Sequence, residues 1–131
     1  MPTHVQKRFS IEDCNANPNS IYIFGNNLQA WGKGGQAIIR DCPNTFGIPT
    51  KRLPSMNEDS FFNDEFDEYE AVKSAIEKLI ILKYTRKDTV FVFPEDGLGT
   101  GLAKMNIKSP KLFKYMNDQL NKHFGLNYTS D

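Results

Sequence analysis

Three groups of residues have the types and spacing to do chemistry. The first is Glu95-Asp96-Gly97-Leu98-Gly99-Thr100-Gly101, a pair of carboxylates followed by glycines at alternate positions. Glycine takes positive φ without a Cβ penalty and lets a ligand meet bare backbone. The second is Asn26-Asn27 followed by Gly32-Lys33-Gly34-Gly35-Gln36, where carboxamides precede a glycine-rich approach to a helix start. Free amides at a helix N-terminus beside uncovered backbone favour an anion. The third is Thr50-Lys51-Arg52, a hydroxyl with two cations. Arginine grips phosphate as a fork and lysine as a point charge. Together these groups suit a phosphorylated ligand with a ribose or base. Amides would hold phosphate, and a carboxylate or one of Asn26 and Asn27 would hold sugar hydroxyls. Each group also has a plainer reading: a turn after a core strand, a glycine loop that lets a helix pack close, and a solvated basic turn.

Asn27, Glu95 and Asp96 form the candidate catalytic set. Either acid is suited to act as a general base on water. Neighbouring side chains in an extended loop diverge, so at most one of the two faces the site. No Ser-His or Cys-His arrangement is evident. His4 and His123 read as surface residues, and Cys42, which precedes Pro43, reads as a packing residue. Two carboxylates alone do not make a metal site, and no cofactor is expected.

The elements that must position these groups are legible as patterns. Val90-Phe91-Val92-Phe93 is apolar throughout, as a strand covered on both faces is, and Pro94 ends it. Ile21-Tyr22-Ile23-Phe24 reads the same way, ended by Gly25-Asn26-Asn27. Helical pattern begins at Gln36 and cannot pass Cys42-Pro43. Phe46 to Pro49 is a short extended segment, with Thr50-Lys51-Arg52 just past its end. Residues 53–64 are irregular, with Phe61-Phe62 as an anchor. Asn63 or Asp64 is expected to cap a helix whose apolar stripe is Phe66, Tyr69, Val72, Ile76, Leu79 and Ile80. Leu102 to Met105 is expected to return to the surface. Ser109-Pro110 opens a second long helix, with Leu112, Phe113, Met116, Leu120 and Phe124 buried and Gly125 at its stop. Residues 3–10 suggest an edge strand with Val5 and Phe9 inward, then a cap at Ser10, and the tail from Leu126 is expected to fray. Repeated strand, loop and helix predict a single α/β domain over 1–131, three-layered, with a largely parallel sheet flanked by helices.

Composition narrows the class. Ten Phe and a hydrophobic fraction of 39% supply a core. Sixteen acids balance 16 bases, so no global field draws the chain to nucleic acid or membrane, and neither is an expected partner. The two cysteines have no metal or disulfide spacing. No apolar leader follows the first residues, and a cytoplasmic location is expected.

The runs Ile21 to Leu28, Gly32 to Ala37, Gly47 to Arg52 and Phe93 to Ala103 resemble a family of small, uncharacterised bacterial and phage proteins. A more distant similarity is to macro domains, which bind ADP-ribose. Carried over by position, the resemblance puts Asn26 or Asn27 near the distal ribose. It puts Gly34, Gly35 and Gln36 along the pyrophosphate, and Gly97, Gly99, Thr100 and Gly101 around the phosphates. Glu95-Asp96 stands where macro domains have small residues. The leading expectation is a macro-domain-like binder of ADP-ribose or a related nucleotide, with hydrolysis of an ADP-ribosyl or phosphate ester linkage left open. The alternatives are a non-catalytic nucleotide binder, and an interaction module that docks a partner through an exposed loop at Phe61 and Phe62.

Overall fold

The computed structural model describes residues 3–130. Four strands, β1 (Thr3–Gln6), β2 (Ser20–Asn27), β3 (Thr45–Lys51) and β4 (Val90–Pro94), form one sheet in the order β1-β4-β2-β3. Every pairing is parallel. The apolar β2 and β4 are therefore the central pair, as their composition predicts. Their side chains alternate between two cores, as the two-residue pleat requires. Ile21, Ile23, Phe91 and Phe93 face α2 (Phe66–Thr85) and α4 (Pro110–Phe124). Tyr22, Phe24 and Val92 face the other way, onto Cys14 of α1 (Ile11–Ala16) and Ala37 and Ile39 of a 3-10 turn (Gly35–Ile39). The result is three layers.

Several local expectations need correction. β1 lies at the edge, but Val5 is exposed, and Phe9 is buried beyond the strand end. Phe66 is exposed, and Glu65 caps α2 through a reciprocal capping box with Glu68. Asp64 instead caps α4, accepting from the Leu112 amide at 2.8 Å and the Ser109 hydroxyl at 2.8 Å. Met105 is fully buried at the start of a short helix, α3 (Met105–Lys108). The tail does not fray: Leu126 is buried, and the Tyr128 hydroxyl donates to the Pro94 carbonyl at 2.5 Å. Phe61 and Phe62 are both buried, so they anchor their loop and offer no exposed aromatic docking surface. Among the described residues, no helix is long and apolar enough to cross a membrane.

Strand β3 runs further than expected and includes Thr50 and Lys51. Pro49 is tolerated because β3 is an edge strand. The register against β2 shifts here: Asn26 pairs with Pro49, but Asn27 pairs with Lys51. Thr50 is the extra residue of this bulge, and bulges re-aim the side chains beside them. Its hydroxyl bonds the Asn26 carbonyl at 3.2 Å.

Candidate functional site

The loops after the two central strands leave the sheet toward opposite faces. That after β2 enters the 3-10 turn on one side, and that after β4 enters α3 and α4 on the other. Such divergence opens a crevice at the carboxyl ends of the strands. A cavity of about 660 Å³ fills it, with the end of β3 as a third wall. It brings together Asn26, Asn27, Gly34, Gly35, Gln36, Thr50, Lys51, Asp96, Gly97, Gly99, Thr100 and Gly101. Two sequence candidates lie elsewhere. Arg52 is turned to α2, where it forks onto Asp67 at 2.7 and 2.9 Å and meets the buried Glu68 carboxylate at 2.6 Å. Asp67 thereby raises the Arg52 pKa, and Arg52 lowers that of Asp67. Glu95 diverges from Asp96, as adjacent side chains do, and lines smaller clefts against the tail.

The three carboxamides in the cavity wall are bonded to the chain itself. Asn26 Oδ1 accepts from Arg40 Nη1 at 2.7 Å and from the Asn27 amide at 2.8 Å. Asn27 Nδ2 donates to the Trp31 carbonyl at 2.7 Å, and its Oδ1 accepts from the Gln29 amide at 3.0 Å. Gln36 Oε1 accepts from the Phe9 amide at 2.8 Å, while its Nε2 donates to the Lys7 carbonyl at 3.0 Å. Asn27, a candidate catalytic residue, is bonded to main chain at both ends of its side chain and so braces the loop after β2.

The electrostatics of the wall differ from the neutral whole. Among the described residues, Lys7, Lys33, Arg40 and Lys51 line it, against the single carboxylate of Asp96. Lys33 pairs with Asp41 at 2.6 Å and holds that carboxyl below its usual range. Lys7 stands 3.8 Å from Asp96, both exposed. The Arg40 guanidinium bonds carbonyls of the loop, and burial pulls its pKa down.

Lys51 is different in kind. It is only 7% exposed and, among the described residues, has no carboxylate within ion-pair distance. Its ammonium donates to the Ser55 carbonyl at 2.5 Å and lies 4.9 Å from the centre of the Phe61 ring. Burial, and secondarily Lys104, push its pKa below the usual lysine value. A buried charge without a countercharge is costly unless something supplies one.

The loop after β4 supplies the complementary feature. Gly97 and Gly99 take φ of 88° and 79°. Among the described residues, the backbone amides of Leu98 through Ala103 donate to no protein acceptor. A run of free amides in a turn of this kind is an anion-binding concavity. A Cβ at Gly101 would meet nothing within 4 Å, whereas one at Gly99 would lie 2.8 Å from the Met105 sulfur. Gly101 therefore leaves open space, and Gly99 is needed for packing.

Sequence reasoning missed Lys7, Trp31 and Arg40. Lys7 arrives through the Gln36 clamp, a tertiary effect. Trp31 carried a signal, since a large aromatic between small residues in a glycine-rich loop has no core face to fill. Among the described residues, no cluster of three His, Cys, Asp or Glu side chains is placed to hold a metal.

Comparison with curated proteins and with solved structures finds no match. Comparison with family models does, over residues 4–119, a span that takes in the sheet apart from Thr3, the cavity walls and most of α4: the chain belongs to DUF7831, a family of unknown function.

Proposed function

We propose that the chain binds ADP-ribose or a related nucleotide phosphate in the cavity at the carboxyl ends of β2, β3 and β4. The observation that carries this reading is Lys51. A buried cation without a carboxylate shares one cavity with a run of unbonded backbone amides. Both features favour an anion, and phosphate oxygens satisfy both at once. The cavity is also much larger than a bare phosphate needs, and Leu53, Pro54 and Leu102 give it an apolar flank. The distant similarity to macro domains supports the same ligand class, and an all-parallel sheet between helical layers is compatible with it.

Hydrolysis of an ADP-ribosyl or phosphate ester linkage is the second reading. Asp96 favours it, as the one carboxylate that lines the cavity among the described residues and hence the candidate base. Against it, Asn27 has both ends of its side chain bonded to main chain. Binding without turnover therefore accounts for more of the geometry.

Calorimetric titration with ADP-ribose, AMP, ribose 5-phosphate and inorganic phosphate tests the proposal. Phosphate-bearing ligands should bind the wild type, with a loss of roughly tenfold or more in Lys51→Met, as for one charge-assisted hydrogen bond. Absence of binding by all four, or equal binding by the variant, would overturn it. Turnover of an ADP-ribosyl ester that disappears in Asp96→Asn would move the assignment to a hydrolase.

A further inference from the structure

We propose that Trp31 is a stacking platform for a planar base, so that the site selects nucleoside phosphates over sugar phosphates. This rests on the anion-binding reading above and names the other end of the ligand. Trp31 is 60% exposed at the wall of the cavity. An isolated exposed aromatic needs no explanation, but this one is held with unusual care. Its flanking residues both have positive φ, 58° at Ala30 and 103° at Gly32. For alanine that conformation is unfavourable and persists only where the surroundings over-determine it.

Here they do. The Trp31 carbonyl accepts from Asn27 Nδ2 at 2.7 Å and from Arg40 Nη2 at 3.4 Å. Arg40 Nε takes the next carbonyl, of Gly32, at 2.8 Å. A buried carboxamide and a partly buried guanidinium thus pin the two peptides that follow an outward-facing indole. That arrangement loses little further entropy on ligand binding, which is what a preorganised contact requires. The loop that carries Trp31 also approaches other apolar groups of the cavity wall. A Cβ at Gly32 would lie 3.2 Å from Pro54, and one at Gly34 would lie 3.2 Å from Leu102. Three loops therefore approach one another at Gly32 and Gly34, just after Trp31 in the chain. A flat apolar surface in a cavity whose walls also hold free amides and cations matches a base joined through a sugar to phosphate.

Trp31 is the only tryptophan in the chain, so its emission reads this surface directly. The experiment titrates AMP, ADP-ribose, ribose 5-phosphate and inorganic phosphate by calorimetry and by tryptophan emission in parallel. AMP and ADP-ribose should quench the emission, and ribose 5-phosphate should bind more weakly without quenching. Trp31→Ala should weaken AMP by roughly tenfold or more and leave ribose 5-phosphate unchanged, with Trp31→Phe recovering most of the loss. Ribose 5-phosphate binding as tightly as AMP, or AMP affinity unmoved in Trp31→Ala, would overturn the platform while leaving the anion site intact. No heat with any phosphate compound would overturn both.

Discussion

Gln36 holds the backbone of Phe9 from 27 residues away, its Oε1 accepting the Phe9 amide at 2.8 Å. The same side chain donates to the Lys7 carbonyl, so one carboxamide clips the chain leaving β1 to the start of the 3-10 turn. This is how Lys7 reaches the cavity. Gln36→Ala removes both bonds and should cost about 1 to 3 kcal/mol, at about 0.5–1.5 kcal/mol each. Gln36→Glu keeps the acceptor and loses the donor, so its denaturant midpoint should fall between the two. A wild-type midpoint in Gln36→Ala would mean the clip is formed but carries no stability.

Lys51→Met should separate stability from binding. Replacing an unpaired buried cation by an apolar chain of similar length should leave the ligand-free protein as stable or more so. The pH dependence has a definite sign. The Lys51 pKa is lowered in the folded state from 10.5. In the window just below 10.5 the unfolded chain therefore holds a proton that the folded chain has released. Stability contributed by this group rises with pH there. Urea midpoints between pH 8 and 10.5 should climb more in the wild type than in Lys51→Met, and identical profiles would rule the buried charge out as a cause.

Arg52 should behave in the opposite way. Its fork onto the exposed Asp67 is worth little, but the Glu68 carboxylate beside it is fully buried. Arg52→Ala leaves the buried Glu68 carboxylate with the Asn63 and Glu65 amides on Oε1 but with no cation beside Oε2, and should cost about 3 kcal/mol, within the range for breaking a buried pair. Adding Glu68→Gln should recover part of the loss, because the two effects share one cause. Phosphate affinity of the folded protein should not change in either variant, and a tenfold loss of it would return Arg52 to the site.

What was legible in the sequence follows from range. The apolar runs of β2 and β4 announced central strands, and their glycine-bearing exits line the cavity between them. Asp64 shows the limit. Next to a helix in sequence, it looks like that helix's cap, yet its carboxylate serves α4, 45 residues on from it to Ser109. Local propensity cannot weigh a distant amide against a near one. Lys51 and Arg52 are adjacent cations with equal appeal for phosphate, and only the bulge at Thr50 and the position of α2 divide them. Met105 looked like a surface return, but the close approach of Gly99 draws it inside.

The tail should reveal itself at high pH. Tyr128 donates to the Pro94 carbonyl, and burial, with Asp96 adding to it, raises its phenol pKa above the usual 10.0. Below pH 10 both folded and unfolded chains keep this proton. Above it the unfolded chain releases the proton first, so the contribution of this group to stability falls as pH rises. Tyr128→Phe should be less stable at neutral pH by about 1 kcal/mol and should lose less between pH 10 and 11. Parallel wild-type and variant curves would show that the tail does not resist ionisation.

Gly99 and Gly101 give the sharpest separation of folding from binding. Both belong to the loop of free amides, and either looks equally apt for a ligand. Gly99 has φ of 79° and a would-be Cβ within 2.9 Å of Met105, so Gly99→Ala strains backbone and core together. Its loss of binding would say nothing about a site. Gly101 lines the cavity, and a Cβ there meets no protein atom within 4 Å. Gly101→Val should therefore keep a near-wild-type melting temperature and lose phosphate affinity, because the branched side chain stands where a ligand approaches the amides. If Gly101→Val melts normally and still binds AMP at full affinity, the ligand does not lie against this loop, and Lys51 must meet its anion from the β3 side alone.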